Sequence, residues 1–306
     1  MEYRNIGKSD LRVSVVGFGA WQAGGRGWGT DFTDDDIIKA MKYGFENGVN
    51  YIDTAEIYGN GHSEEVISRA IEGYRREDII IATKVAPPHF REDDVIKSCD
   101  ASLKRLNTSY IDLYQLHWPD SSVPVKETVS AMEKLVDAGK IRYIGVCNYP
   151  LTELEEVIDS LSKYDLVSNQ MRYNLIQREV ESDLLPYMRD KSISMIAWSP
   201  IAKGLLSGKY SPSSIPDDEI RQRDRLFTRE NIEKLLPLID TIRRIADSRS
   251  KTPAQVALNY LLCQDSFVIP GIKSTDQLIE NMGAADWRLT DEEISELREA
   301  SSVDLS

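Results

Sequence analysis

The feature that most constrains this chain is a regular alternation of short apolar runs with amphipathic stretches, repeated eight times along 306 residues. The runs at 15–19, 51–54, 79–84, 111–117, 143–148, 167–173, 194–199 and 267–269 are rich in β-branched residues and bounded by Gly, Asn or charges, so each reads as a strand. The stretches between them carry helix signals. Thr33 caps a segment through Asn47 with acids in its first turn, Val66, Ile67, Ala70, Ile71 and Tyr74 share one face after Ser63, and a further helix spans about 93–106. Val125, Val129, Met132, Leu135 and Val136 form the next apolar stripe, Thr152 with Glu155 reads as a capping pair, and helices follow near 181–191, 230–249 and 253–264, the last opened by Thr252-Pro253. Helices over 274–285 and from Thr290 to about Ala300 complete the count. Eight strand–helix units of this length predict an α/β chain folded as one (β/α)8 barrel domain over 1–306. An open doubly wound sheet is the alternative; against it, no Gly-x-Gly-x-x-Gly lies between a strand and a helix, Gly17-Phe-Gly19 lacking the third glycine and leading into a loop.

Two segments stand outside the rhythm. Residues 2–15 read as a small hairpin that plugs the barrel floor, and Lys203 to Arg229, with Gly204, Gly208, Pro212 and Pro216, reads as a long functional loop. A net charge of −13 opposes nonspecific binding to nucleic acid or anionic membranes, so any anion must be held locally. No run approaches a membrane span and the first residues are no signal peptide; Cys99, Cys147 and Cys263 form neither a metal spacing nor an even framework. A cytoplasmic protein, monomeric or weakly self-associating, is expected.

In a barrel of this kind chemistry gathers at the strand C-termini. Asp53, Lys84, His117, Asn148, Gln170 and Trp198 end the second to seventh runs, and Tyr58 follows Asp53 in a turn closed by Gly59. Any one of these has an ordinary reading: a neighbouring Asp and Lys form structural ion pairs, and a lone His is usually a satisfied hydrogen bonder. As a set they describe a proton-transfer site. A phenol is a reluctant acid unless its anion is stabilised; Lys84 can supply that cation, Asp53 can hold the Lys, and His117 can orient a substrate oxygen. A phenolic acid without a nucleophile suits protonation of an oxygen made basic by hydride delivery to a carbonyl. Three His without ligand spacing imply no metal.

At these residues the chain resembles the aldo-keto reductases, over essentially its whole length. The matching segments are Asp53-Thr-Ala-Glu-Ile-Tyr58-Gly, Lys84, Asp112-Leu-Tyr-Gln-Leu-His117-Trp-Pro, Gly139 to Asn148, Gln170 with Tyr173-Asn, Trp198-Ser-Pro, Ile269-Pro-Gly and Glu280-Asn281. The resemblance implies a barrel that binds NADPH along the strand ends, with NADH as a weaker alternative, and reduces small aldehydes and ketones through a tetrad of Asp53, Tyr58, Lys84 and His117. It further implies that Asn148 and Gln170 hold the nicotinamide carboxamide, that Trp198 stacks on its ring, that Ser199, Ile201, Lys203, Gly204 and Leu205 approach the pyrophosphate, and that Lys273, Ser274, Gln277, Glu280 and Asn281 face the adenosine end. The stretch 199–210 looks most like the bacterial and archaeal branch of general stress-type reductases.

Three positions depart from the family pattern: Cys147 stands where Ser is usual, Trp198 where many members have Tyr, and Gln277 where an Arg often meets the adenosine 2′-phosphate. Lys273, just ahead of the helix that starts near Ser274, is then the expected cation for that phosphate, with Arg221, Arg223 and Arg225 next. Trp21, Trp28 and Trp118 fall on loops at the mouth and would line the substrate pocket, and Gly24 to Gly29 reads as a flexible substrate loop. Two rivals use the same fold: a cofactor-binding regulatory subunit like the potassium-channel β subunits, and a phosphate-substrate isomerase or aldolase.

Overall fold

The computed structural model describes residues 1–25 and 27–305; Arg26 of the expected substrate loop lies outside the described residues. A hairpin of β1 (Tyr3–Asn5) and β2 (Arg12–Ser14) precedes eight parallel strands: β3 (Phe18–Gly19), β4 (Tyr51–Asp53), β5 (Ile80–Val85), β6 (Ile111–Leu116), β7 (Ile141–Cys147), β8 (Leu166–Arg172), β9 (Ser194–Trp198) and β10 (Phe267–Ile269). They hydrogen-bond in sequence order. The ring closes where Gly17 N donates to Val268 O at 2.9 Å and Gly19 N to Pro270 O at 3.0 Å. The β3 strand is shorter than the run 15–19 implies because this seam is crowded. A Cβ on Gly19 would stand 2.4 Å from the Ile269 carbonyl oxygen, so glycine is what lets the two backbones meet.

Helices α1 (Asp34–Glu46), α2 (His62–Ile71), α3 (Glu92–Leu106), α4 (Val125–Asp137), α5 (Leu151–Ser160) and α6 (Leu184–Asp190) cover the barrel. Beyond β9 come the one-turn α7 (Glu219–Gln222), the long α8 (Arg229–Arg249), α9 (Pro253–Cys263), α10 (Thr275–Met282) and α11 (Asp291–Ala300). Thr33, Thr252 and Thr290 each complete a capping box with Asp36, Gln255 and Glu293. Thr152 does not. The chain enters α5 with Pro150 at the N-cap, which has no side-chain oxygen to offer, and Thr152 falls inside the first turn. The stretch 203–229 is likewise more ordered than a loop, holding 3-10 turns over Ala202–Ser207 and Arg225–Phe227 with α7 between them.

The hairpin seals the N-terminal end, as its polarity pattern predicts. Ile6, Leu11 and Val13 are buried, Arg4 Nη2 donates to Ser266 O at 2.9 Å, and Gly7 N donates to Ser194 Oγ at 2.7 Å. The opposite end is left open for a site. Gly7 adopts φ +52°, and a Cβ there would lie 2.4 Å from Val167 O. Gly7→Ala is therefore expected to lower stability by about 1–3 kcal/mol in urea unfolding, from backbone strain and overpacking together. An unchanged midpoint would mean that the hairpin is not seated on the floor.

Candidate active site at the strand C-termini

Asp53 is the last residue of β4, and Lys84 lies one residue before the end of β5 on the adjacent strand. Both are almost completely buried, and Lys84 Nζ donates to Asp53 Oδ1 at 2.5 Å and to Thr54 O at 2.8 Å. The other carboxylate oxygen, Asp53 Oδ2, accepts from Gln170 Nε2 at 2.7 Å and from Gln115 Nε2 at 3.0 Å. Gln115 pairs in register with Lys84 and sits two residues before His117, so its side chain points to the same side of β6. That spacing was the available signal for Gln115, which the strand-end reading passes over.

Tyr58 occupies the turn after β4, where Gly59 at φ +61° lets the turn press against Gly24. Its hydroxyl lies 3.5 Å from Lys84 Nζ. The phenol stacks beside Trp21, with centroids 6.2 Å apart, and meets the His117 ring edge-on at 5.8 Å. His117 follows β6, stacks on Trp118 at 3.6 Å, and its Nδ1 is buried without a hydrogen-bond partner among the described residues. Thus the four residues that the strand ends nominate do come together.

Their electrostatics are set by burial and by one charge. Burial pushes the Tyr58 phenol up to about 12, the Lys84 ammonium holding it below where burial alone would put it. Burial also opposes the charge on Lys84, but the carboxylate of Asp53 outweighs this and holds its pKa above the ordinary lysine value. Burial and then the Lys84 charge pull His117 down to about 2, so its imidazole is neutral over the physiological range. The Cys147 thiol is raised by burial, and its Sγ contacts Gln170 Oε1 at 3.6 Å as a weak donor.

These groups open onto a cavity of about 880 Å³. At one end Trp21, Trp28 and Trp118 line it, Trp21 packing edge-on against Trp28 at 5.0 Å. In the middle Trp198 forms a flat wall, its Nε1 donating to Asn148 Oδ1 at 2.9 Å, while Asn148 Nδ2 donates to His117 O at 3.2 Å. Asn148 takes a positive φ of 62°, which turns it off the end of β7 into this position. Asn148 and Gln170 therefore both line the cavity while already bonded to protein partners. Ser199, Ile201, Lys203 and Gly204 follow along the wall, with consecutive positive φ at Ala202, Lys203 and Gly204 curling the backbone beneath it. Leu205 is not on the wall; its side chain is buried in the core, because the same curl turns it inward.

The far end is rich in charges of both signs, with Asp31, Asp217, Asp218 and Glu280 among its lining residues. Lys209, Arg221 and Lys273 line it with Gln277, Glu280 and Asn281, whereas Ser274 stands back and caps α10 by accepting from Gln277 N. Lys273 is engaged: its Nζ donates to Trp28 O at 2.5 Å and to Asp31 Oδ1 at 2.8 Å. Lys203 pairs with Asp224 at 2.7 Å, and Arg221 donates to Lys203 O at 2.8 Å. Lys209 differs. Among the described residues no carboxylate pairs with it, and burial followed by the charges of Arg221 and Lys273 lowers its pKa. No local pattern announces this, since Lys209 follows a glycine in an irregular stretch. The two loops meet above the cavity, where Ile220 N donates to Gly27 O at 3.3 Å. No group of three His, Cys, Asp or Glu among the described residues is placed to hold a metal ion.

Residues 15–302 match the model of the Aldo/keto reductase family. The aldo-keto reductase YhdN of Bacillus subtilis is 34% identical over 96% of this chain and 91% of its own length. A plant protein of Arabidopsis thaliana, named Probable voltage-gated potassium channel subunit beta, is also 34% identical, over 94% of this chain and 92% of its own. The crystal structure of an aldo-keto reductase from Klebsiella pneumoniae in complex with NADPH superposes with a TM-score of 0.80 at 30% identity, covering 98% of this chain and 95% of that one. With the barrel in place and the match running through all eight of its strands, the chain belongs to the aldo/keto reductase family of NAD(P)H-dependent oxidoreductases.

Proposed function

We propose that this oxidoreductase uses NADPH to reduce small aldehydes and ketones to alcohols, with Tyr58 as the proton donor. The observation that carries this reading is the buried Lys84 ammonium, held by Asp53 and aimed at the Tyr58 hydroxyl on the wall of a cavity. When bound, NADPH supplies the hydride that adds to the carbonyl carbon. Tyr58 gives its proton to the carbonyl oxygen as negative charge develops there, and Lys84 stabilises the phenolate left behind. Asp53 keeps Lys84 charged and fixed, with Gln115 and Gln170 fixing Asp53 in turn. The neutral His117 orients the carbonyl oxygen, and Trp21, Trp28 and Trp118 exclude water and receive the organic part of the substrate.

The residues present fit a nicotinamide dinucleotide phosphate. Trp198 offers a face for the nicotinamide, and Asn148 and Gln170 stand beside it for the carboxamide. Ser199, Ile201, Lys203 and Gly204 border the pyrophosphate path, and Lys273, Gln277, Glu280 and Asn281 the adenosine end, with Ser274 acting through the cap of α10. Leu205 is left out of the contact set. Lys209 makes no ion pair among the described residues, and although Asp31 and Glu280 partly offset the charges of Arg221 and Lys273, it is the lining cation left available to an anion in a protein of net charge −13. It joins Lys273 as a partner for the 2′-phosphate, and because Lys273 already serves Asp31, Lys209 carries the larger share of the NADPH preference, leaving NADH as a weaker cofactor. A role limited to cofactor binding within a larger assembly shares the cavity but has no use for Asp53, Lys84 and Tyr58 as a unit. The reading needs no nucleic acid or membrane partner and suits one barrel domain working in the cytoplasm as a monomer or weak oligomer; no helix among the described residues is long and apolar enough to cross a membrane.

Tyr58→Phe is expected to slow aldehyde reduction by about 10²–10⁴, while the NADPH dissociation constant from Trp fluorescence stays within about threefold. Turnover at the wild-type rate would sink the assignment. The sign of the pH dependence follows from the shifts: reduction requires protonated Tyr58 and persists as pH rises toward about 12, alcohol oxidation requires the phenolate and climbs over the same range, and neither shows an inflection near the ordinary histidine value because His117 titrates near 2. A break at about pH 6.5 that disappears in His117→Gln would contradict this. For the cofactor, Lys209→Ala should weaken NADPH by about tenfold or more, the worth of a charge-assisted hydrogen bond, and NADH far less. Equal losses for both cofactors would place Lys209 on the pyrophosphate instead.

A further inference from the structure

Trp198 has two faces, and the cavity accounts for one of them. The Arg172 guanidinium lies over the ring from outside the cavity, in a second hollow of about 630 Å³ that shares Lys203 with the cavity and is lined by Arg172, Asp224, Arg225 and Leu226 and by the C-terminal residues Val303 to Leu305. Arg172, the last residue of β8, lines this hollow and not the cavity, while Trp198, the last residue of β9, lines the cavity and not the hollow. The two residues are register partners on adjacent strands, and the Arg172 guanidinium carbon stands 4.5 Å from the centroid of the Trp198 ring. The indole is therefore held at two points, by the Nε1 bond to Asn148 and by a cation on its rear face.

We propose that Arg172 is a positioning residue that biases the site toward the reduced cofactor, acting through Trp198. This rests on the reading that the nicotinamide ring stacks on the cavity face of Trp198. A cation on one face of an indole draws the ring's electron density toward itself and depletes the opposite face. The oxidised nicotinamide ring carries a positive charge and the reduced ring carries none. A second cation arriving on the depleted face meets both the weakened quadrupole and the direct repulsion of Arg172 through one ring thickness, whereas the neutral ring meets neither. NADP⁺ is then bound less tightly than the same stack would hold it without Arg172, and its release after reduction is faster. The side chain reaches solvent, and Glu179 and Asp224 share its hollow, so the effect is screened to a few-fold and fades with salt.

The test is the ratio of dissociation constants for NADP⁺ and NADPH, measured by calorimetry on the whole protein. Arg172→Met removes the charge and keeps the length of the stem; any loosening of Trp198 affects both cofactors and cancels in the ratio. The expected result is that NADP⁺ gains about three- to fivefold relative to NADPH in Arg172→Met, the range of an exposed cation–π contact. Arg172→Lys should keep the ratio within about twofold of wild type, and the wild-type ratio should approach that of Arg172→Met as salt rises above the screening range. An unchanged ratio in Arg172→Met would overturn the proposal. Trp198→Leu separates this from failure of the underlying reading: if it leaves both affinities unaltered, the nicotinamide does not stack there, whereas if it weakens both while Arg172→Met leaves the ratio untouched, the stack stands and Arg172 merely packs against it.

Discussion

The ion pair between Asp53 and Lys84 is the interaction on which the rest of this structure depends. Taking two charges out of water costs about several kcal/mol per ion, and the pair survives only because every remaining polar atom is satisfied. Lys84 finds Asp53 and the Thr54 carbonyl; Asp53 finds Gln115 and Gln170. Five residues from three neighbouring strands and β8 are thereby committed to one charge. A structural ion pair of this expense in a barrel interior would be poorly spent on stability alone, since apolar residues of the same volume would serve as well. Its remaining contact, toward the Tyr58 hydroxyl, gives the charge a chemical use.

The barrel supplies what that arrangement needs. Parallel strands in fixed register set Lys84 level with Gln115 and two residues beyond Ala82, the partner of Asp53, a precision that loops seldom reach. The hairpin closes the other end, so water enters from one side. Irregular segments gather at the mouth, where the tryptophans and the stretch 203–229 line the cavity. The bond between Ile220 and Gly27 and the Lys273 contacts to Trp28 and Asp31 tie the 27–31 stretch to α7 and to the start of α10.

Much of this was legible in the sequence because it is local. Strand endings are set by runs of β-branched residues, so Asp53, Lys84, His117 and Trp198 could be placed at the rim without a structure, and the cap residues Thr33, Thr252 and Thr290 announced their helices. What escaped is what depends on distant partners or on short, aperiodic turns. Asp31 meets Lys273 across 242 residues, and no pattern around either foretells it. The one-turn α7 is too short to show a helical period. Thr152 misled because a preceding proline took the cap. Lys209 and Arg172 became visible when their surroundings did: one as a cation among cations, the other as a cation on a ring.

The central claim is that the Asp53, Lys84 and Tyr58 unit serves a reduction rather than cofactor binding alone. It is tested most directly by supplying NADPH deuterated at the transferred C4 position together with an aldehyde and following the label by NMR. The account predicts repeated turnover with deuterium on the carbinol carbon of the alcohol, and a slower single-turnover rate than with unlabelled NADPH. Tight NADPH binding with no labelled alcohol across aldehydes and ketones would contradict it.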